Sequence, residues 1–200
     1  MTRIGVFGGT FDPIHVGHLA VASAAAHGLQ LDQVLFVVAH RPWQKVGTRQ
    51  ISDSSLRLAM VAAATADRED LVASSIEIDR GGSSYSVDTV EQLRAEQPDA
   101  DLILVVGSDV VADLHTWHRH DELRDLVTVG VVDRPGAIGA EPPPGWTIRQ
   151  IAAPLVDLSS SLLRTRLAAG EPVDYLVPRA ALDIYEQWHQ DASVAEESSL

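Results

Sequence analysis

A doubly wound α/β fold on a parallel sheet is predicted by three features of this sequence. Short apolar runs of strand length recur along the chain, and segments of helical period follow them. Glycine or polar turns stand after these runs, at what would be their carboxyl ends. The chain has 200 residues, of which 46% are hydrophobic, enough to bury the core of one such domain. Strand and helix in alternation favour parallel pairing through right-handed crossovers, with helices on both faces.

Arg3 to Phe7 is the first strand, and Gly8 and Gly9 break it. Thr10-Phe11-Asp12-Pro13 is turn chemistry, because proline fixes φ and aspartate bonds nearby backbone. Val16 to His27 carries a helical period, with Gly28 where a C′ glycine belongs. Gln33 to Ala39 is a second, β-branched strand. A polar loop over residues 40–50 leads to Ser52 and Asp53, which cap a helix running through Ala66 with Leu56, Met60, Val61 and Ala64 on one face. Leu71 to Ile78 reads as a third strand, alternating at Ile76 and Ile78. Asp79 to Ser84 is a glycine turn, and a helix begins at Ser86 with Val87, Val90 and Leu93 inward and Pro98 beyond its end.

Asp101 to Val106 is the fourth strand, broken at Gly107-Ser108-Asp109. Val110 to Leu114 is a helical turn and Asp121 to Leu126 a short helix. Val127 to Val132 is the fifth strand. Residues 137–145 form an exposed Pro/Gly loop, and Trp146 to Ile151 is the sixth strand. Asp157 to Ser161 caps a helix through Leu167, and Pro178 to His189 is the last helix. The whole is Rossmann-like, with the C-terminal helices completing a nucleotide pocket. Residues 1–190 read as one domain and residues 191–200 as a disordered acidic tail.

Formal net charge is −13, which disfavours non-specific nucleic-acid binding. Anionic ligands then require cations concentrated in one place. Fourteen of the fifteen basic residues are arginine, and Lys45 is the only lysine. There is no cysteine, so neither a disulfide framework nor a thiolate zinc site is available. No apolar run of membrane-spanning length occurs, and a strand starts too early for a signal peptide. A cytoplasmic protein without membrane or nucleic-acid partners is expected. The residues leave oligomeric state open, a homo-oligomer included.

Residues 3–20, RIGVFGGTFDPIHVGHLA, read as strand, glycine turn and helix. That geometry aims a helix N-terminus at the turn, and phosphate is the natural occupant. His15 and His18, at i and i+3, stand near one face of the helix start and offer ring donors to phosphate oxygens. The two glycines keep side chains out of the way of an approaching nucleotide. The stretch is neither a Walker A loop nor a dinucleotide fingerprint.

GGTFDPIHVGH resembles the signature of the nucleotidyltransferase superfamily whose (H/T)xGH motif replaces a P-loop. A second mark of that superfamily, a serine cap followed by a basic residue, is matched by Leu158-Ser159-Ser160-Ser161-Leu162-Leu163-Arg164, about 140 residues further on. Histidine at position 15, rather than threonine, makes the stretch similar to bacterial nicotinate-nucleotide adenylyltransferases. PWQK, RGGSSYSVDT, GSDVVADLHTW and DRPG extend the match over most of the chain. Departures are small: Ser86 and Ser161 stand where threonine is common, and Leu158 where isoleucine is.

The resemblance implies that ATP and nicotinate mononucleotide give deamido-NAD and pyrophosphate. The 5′-phosphate nucleophile is already ionised, so no general base is needed, and catalysis is positioning plus charge stabilisation. The resemblance assigns His18 to the α-phosphate, with His15 beside it. The Ser159–Ser161 cap and Arg164 hold the β- and γ-phosphates. Gly8, Gly9, Thr10 and Phe11 belong to the ATP side, Gly8 and Thr10 touching the acceptor as well. Magnesium bridges the phosphates, held mainly by substrate and water.

Lys45 is either a solvated loop lysine or a mobile, catalytic phosphate contact on the nicotinate mononucleotide side, and Trp43 its packing partner. Trp117 is either core or a stacking wall for the nicotinate ring. Ser84, Tyr85 and Ser86 offer donors that suit a carboxylate better than an amide. Asp109, after Gly107, is a structural cap or a contact to the adenosine ribose. Arg134 contacts the adenine side or braces its loop. The rival acceptors are nicotinamide mononucleotide and phosphopantetheine. A rival of another class is a nucleotide sensor without turnover.

Overall fold

A computed structural model of the chain describes residues 1–41, 51–133 and 141–197. Its centre is a six-stranded, all-parallel sheet: β1 (Arg3–Gly9), β2 (Gln33–Val38), β3 (Leu71–Ser74), β4 (Asp101–Gly107), β5 (Thr128–Val132) and β6 (Ile148–Ile151). The strand order is β3-β2-β1-β4-β5-β6. β1 pairs in parallel with β2 on one side and β4 on the other. The order therefore reverses between β1 and β4, and a crevice opens at their carboxyl ends, where ligands of such sheets bind.

Period-two alternation divides the strand side chains between two cores. Phe7, Val34, Phe36, Val38, Ile103 and Val105 face one layer. That layer contains α1 (Val16–Gly28), α2 (Ser54–Thr65), α6 (Ser160–Ala168) and α7 (Arg179–Glu197). Ala22, Ala25, Leu56, Met60, Leu163 and Leu182 fill it. Ile4, Val6, Leu35, Leu102, Leu104 and Val129 face the other layer. There α4 (Ser86–Glu96), a 3₁₀ helix (Ser108–Thr116) and α5 (His120–Leu126) contribute Val87, Val90, Leu93, Leu114 and Leu123. The central strands are buried on both faces, which is why they read as continuous apolar runs.

Two expectations are corrected. The third strand ends at Ser74, and Ile76–Arg80 is a helical turn, α3. Ser74 Oγ accepts the Ile76 N–H at 3.4 Å and Ser75 Oγ donates to Asp79 at 2.6 Å. Local side-chain bonds thus draw the backbone out of the sheet. The Ile76/Ile78 alternation fits one helical turn as well as a strand. At the other end, α7 continues to Glu197, so residues 191–197, expected as a disordered tail, are helical. The alanines and glutamates of this segment favour helix over coil once a preceding helix supplies the nucleus. Asp53 caps α2 as expected, its carboxylate accepting the Ser55 N–H at 2.7 Å.

Among the described residues, no helix is long and apolar enough to cross a membrane.

Candidate active site

A cleft of about 400 Å³ lies at the carboxyl ends of β1 and β4. Gly8, Gly9, Thr10 and Phe11 form its floor, with His15 and His18 beside them. Ser159, Ser160, Ser161 and Arg164 form one wall, and Ser84, Tyr85, Ser86 and Trp117 line it as well. Gly107 and Asp109 line it at the end of β4. Lys45, Trp43 and Arg134 lie outside the described residues. Every other residue singled out for a ligand contact borders this one cleft.

The floor turns sharply at Phe11, which takes a left-handed φ of 49° and is 2% exposed. A buried aromatic in that region is held there by its surroundings. Its ring meets Phe7 edge-on at 5.7 Å, Phe36 at 5.5 Å and His18 at 5.0 Å. The glycines divide their work. A Cβ on Gly9 would stand 2.6 Å from the Phe11 ring, so Gly9 is needed to seat Phe11. A Cβ on Gly8 would meet nothing within 4 Å, so only Gly8 leaves room for a ligand.

His15 is the N-cap of α1 and is 2% exposed. Its backbone N–H donates to His18 Nδ1 at 3.2 Å. An Nδ1 that accepts places the proton of a neutral His18 ring on Nε2, making that atom a donor. The rings of His15 and His18 stack with centroids 3.7 Å apart. Between them in sequence, Gly17 carries a requirement of its own: a Cβ there would lie 3.0 Å from His15 Nδ1. The expectation that the α1 N-terminus presents bare N–H groups needs adjustment. The Val16 N–H is taken by Leu176 O at 3.0 Å, and those of His18 and Leu19 by His15 O. These N–H groups are therefore engaged within the protein.

The serine motif docks onto the same turn. Ser159 caps α6, its hydroxyl accepting the Leu162 N–H at 3.2 Å. Ser160 Oγ donates to Pro13 O at 2.9 Å. Arg164 donates through Nη1 to Asp12 O at 2.6 Å and through Nη2 to Ser161 Oγ at 3.0 Å. The Asp12 carboxylate, 1% exposed, lies 3.9 Å from the guanidinium. The two sequence motifs thus form one cationic, donor-rich corner in an acidic protein.

At the other end, Tyr85 is the N-cap of α4, without a side-chain cap bond, and its ring stacks on His118 at 4.2 Å. Trp117 packs on the second core and lines the cleft. Its indole nitrogen is buried and has no hydrogen-bond partner among the described residues. Gly107, not Asp109, is the N-cap of the 3₁₀ helix; Asp109 lies exposed in its first turn, at the cleft.

Four residues were not foreseen: Gly17, Arg57, Glu77 and His118. Arg57 is 1% exposed, and its guanidinium donates to Ser52 O at 2.9 Å, Thr10 O at 2.9 Å and His40 O at 3.5 Å. It therefore braces the turns after β1 and β2. Its place on the inward face of α2, three and four residues before the buried Met60 and Val61, could be read from the sequence; its carbonyl partners could not. Glu77 is 7% exposed and lines the cleft; burial pushes its carboxyl above the usual range, against the pull of bonds from Ser84 and Thr89.

A family model described as cytidylyltransferase-like matches residues 6–166. A Streptomyces coelicolor protein described as a probable nicotinate-nucleotide adenylyltransferase is 42% identical over 184 residues, 91% of this chain and 97% of its own. A protein of Exiguobacterium sibiricum with the same description is 37% identical over 187 residues, 94% of this chain and 97% of its own. This chain belongs to the cytidylyltransferase-like family, among its nicotinate-nucleotide adenylyltransferases. A solved structure, Plasmodium falciparum nicotinic acid mononucleotide adenylyltransferase complexed with NaAD, shares the fold, with a TM-score of 0.77 over 94% of this chain and 96% of that one. At 15% identity, that likeness concerns the fold alone.

Family membership implies a divalent metal, and the donor set bears on who holds it. Among the described residues, no group of three or more His, Cys, Asp or Glu side chains could hold a metal ion. The cleft offers hydroxyls, imidazoles and a guanidinium, which suit phosphate oxygens.

Proposed function

We propose that this chain, in the cytoplasm, transfers the adenylyl group of ATP to nicotinate mononucleotide, giving deamido-NAD and pyrophosphate. The convergence of the His15/His18 pair, the Ser159–Arg164 motif and the α4 N-terminus on one switch-point cleft is the observation that carries this reading. A phosphate-binding corner and a separate donor-lined end match two substrates that must meet at one phosphorus.

An oxygen of the acceptor 5′-phosphate attacks the α-phosphorus of ATP. One P–O bond forms, the bond to the bridging oxygen of the β-phosphate breaks, and pyrophosphate leaves with its electron pair. No proton need be removed from the nucleophile. His18 donates from Nε2 to an α-phosphate oxygen as charge gathers there, with His15 stacked beneath it to hold the ring. Arg164 and the serine-capped start of α6 receive the departing pyrophosphate. Gly8 and Thr10 let both nucleotides approach the floor. Ser84, Tyr85 and Ser86 receive the ring carboxylate, and Trp117 flanks the ring. Gly107 and Asp109 serve the adenosine side. Lys45 and Arg134 complete the set as phosphate and adenine-side contacts. Magnesium, brought with the triphosphate, would be held mainly by substrate and water rather than by a side-chain cage, and would supply charge neutralisation at the phosphates.

The test is pyrophosphate release from ATP and magnesium with nicotinate mononucleotide, nicotinamide mononucleotide or phosphopantetheine as acceptor. Turnover with the first, exceeding the others in kcat/KM, is expected. No release with the first would remove the proposal, and nucleotide binding without any turnover would favour a sensor.

A further inference from the structure

Glu77 lines the cleft, yet the transfer described above gives it no role. It stands on α3 and is buried at the acceptor end. Its Oε1 accepts the Thr89 hydroxyl at 2.7 Å. A hydroxyl has one proton to give. Thr89 Oγ1 also lies 3.3 Å from Tyr85 O, so the shorter contact to Glu77 claims the proton. Arg80 Nη2 donates to the same Thr89 oxygen at 3.1 Å. Ser84 Oγ accepts the Arg41 N–H at 3.3 Å, and the Ser84 N–H donates to Arg41 O at 3.1 Å. Glu77 therefore ties α3 to the first turn of α4 through Thr89, while Ser84 ties the turn before α4 to the start of the loop after β2 through Arg41.

The turn into α4 has backbone freedom to lose. Gly81 and Gly82 both have positive φ, 70° and 73°, and Tyr85 is the N-cap of α4 without a side-chain cap bond. Glycines in that region add freedom, and an uncapped helix start frays. With Glu77 in place, the Thr89 hydroxyl is engaged as donor and as acceptor, and the Ser84 hydroxyl accepts from Arg41. What α4 then presents to the cleft is chiefly backbone N–H, a donor set that suits a carboxylate oxygen and gives nothing to an amide NH₂.

We propose that Glu77 is a positioning residue for acceptor choice: through the Thr89 hydroxyl it fixes the first turn of α4, so that the backbone N–H groups there stay aimed at the acceptor ring. This rests on the proposed adenylyl transfer to nicotinate mononucleotide.

The experiment compares wild type, Glu77→Ala, Glu77→Gln and Thr89→Val in steady-state pyrophosphate release with nicotinate and nicotinamide mononucleotide, and in calorimetric titration with nicotinate mononucleotide alone. In Glu77→Ala, KM for nicotinate mononucleotide rises roughly 10- to 100-fold, the size expected when positioning slips by about an ångström. KM for ATP stays within about threefold, and preference for the acid over the amide falls by about tenfold or more, the loss of one well-placed contact. Glu77→Gln, whose amide oxygen still accepts the Thr89 proton, returns both quantities to within about fivefold of wild type. Thr89→Val moves them as Glu77→Ala does, and decides the matter if Glu77→Ala fails to fold.

Wild-type acceptor KM and preference in Glu77→Ala, or in a folded Thr89→Val, overturn the proposal. So does a proportional rise in both KM values, or a Glu77→Gln no better than Glu77→Ala. A wild-type protein that neither binds nor adenylylates nicotinate mononucleotide overturns the functional reading itself, and this proposal with it.

Discussion

Gly17→Ala separates stability from catalysis at the histidine pair. Gly17 is buried in the first turn of α1, and the Cβ it lacks would lie 3.0 Å from His15 Nδ1, 3.1 Å from its Cε1 and 3.5 Å from Val156 Cγ1. An ordinary contact needs about 3.5–4.0 Å, so the His15 ring must move by roughly half an ångström. It cannot move alone, because it stacks on His18 at 3.7 Å. Alanine is favoured over glycine inside a helix by about 0.5–1 kcal/mol, which offsets the crowding. Net stability should therefore stay within about 1 kcal/mol, or about 2–4 °C in Tm for a chain of this size. A transition-state donor misplaced by about an ångström costs on the order of 10²-fold in rate, so about half that displacement should cost roughly tenfold. Calorimetric melting and pyrophosphate release, run on the same preparation, measure both. A kcat within about threefold of wild type would refute the claim that Gly17 exists to seat His15. A large loss of Tm together with activity would show the glycine to be a folding requirement instead.

Arg57→Met, which keeps the stem but strands the Ser52 and Thr10 carbonyls, should cost about 3–5 kcal/mol in urea unfolding; a cost under about 1 kcal/mol would remove Arg57 as the brace of these turns. Arg164→Lys should raise KM for ATP by about tenfold or more, because one ammonium cannot span Asp12 O and Ser161 Oγ as the fork does; full activity would count against it. Asp53→Ala should cost about 1 kcal/mol at neutral pH. Bonds from the Ser55 side chain and backbone hold the Asp53 carboxyl below its ordinary 3.8, so its contribution is present above 3.8 and lost as pH falls through the lowered folded value. The stability gap between Asp53→Ala and wild type should close on acidification, and a gap that persisted would refute the cap. Glu77 has the opposite sign: burial raises its folded pKa above 4.5, so the folded state holds the proton more tightly and wild-type stability declines as pH rises from 4.5 through that raised value. Glu77→Gln should flatten this decline in pH-dependent melts.

The central strands were legible because a sheet covered on both faces demands unbroken apolar runs, and β1, β2 and β4 supply them. The phosphate corner was legible because its donors come in two compact motifs, each after a strand or at a helix cap. Topology then brought Ser160 to Pro13 and Arg164 to Asp12, contacts between residues about 150 positions apart that no local pattern contains. α3 was misread because Ile76 and Ile78 satisfy a strand period and one helical turn equally, and two serine side-chain bonds decided between them. Arg57 and Glu77 were passed over for another reason. A charged residue on an inward face carries no distinguishing mark until its partners, mostly backbone carbonyls or hydroxyls from other elements, are in place.

His18→Ala bears on the central claim most directly. The proposed mechanism asks of His18 one preorganised donor at the α-phosphate, so kcat with ATP and nicotinate mononucleotide should fall roughly 10²- to 10⁴-fold. Tm and ATP affinity should change little. Turnover at the wild-type rate in a folded His18→Ala protein would contradict the account.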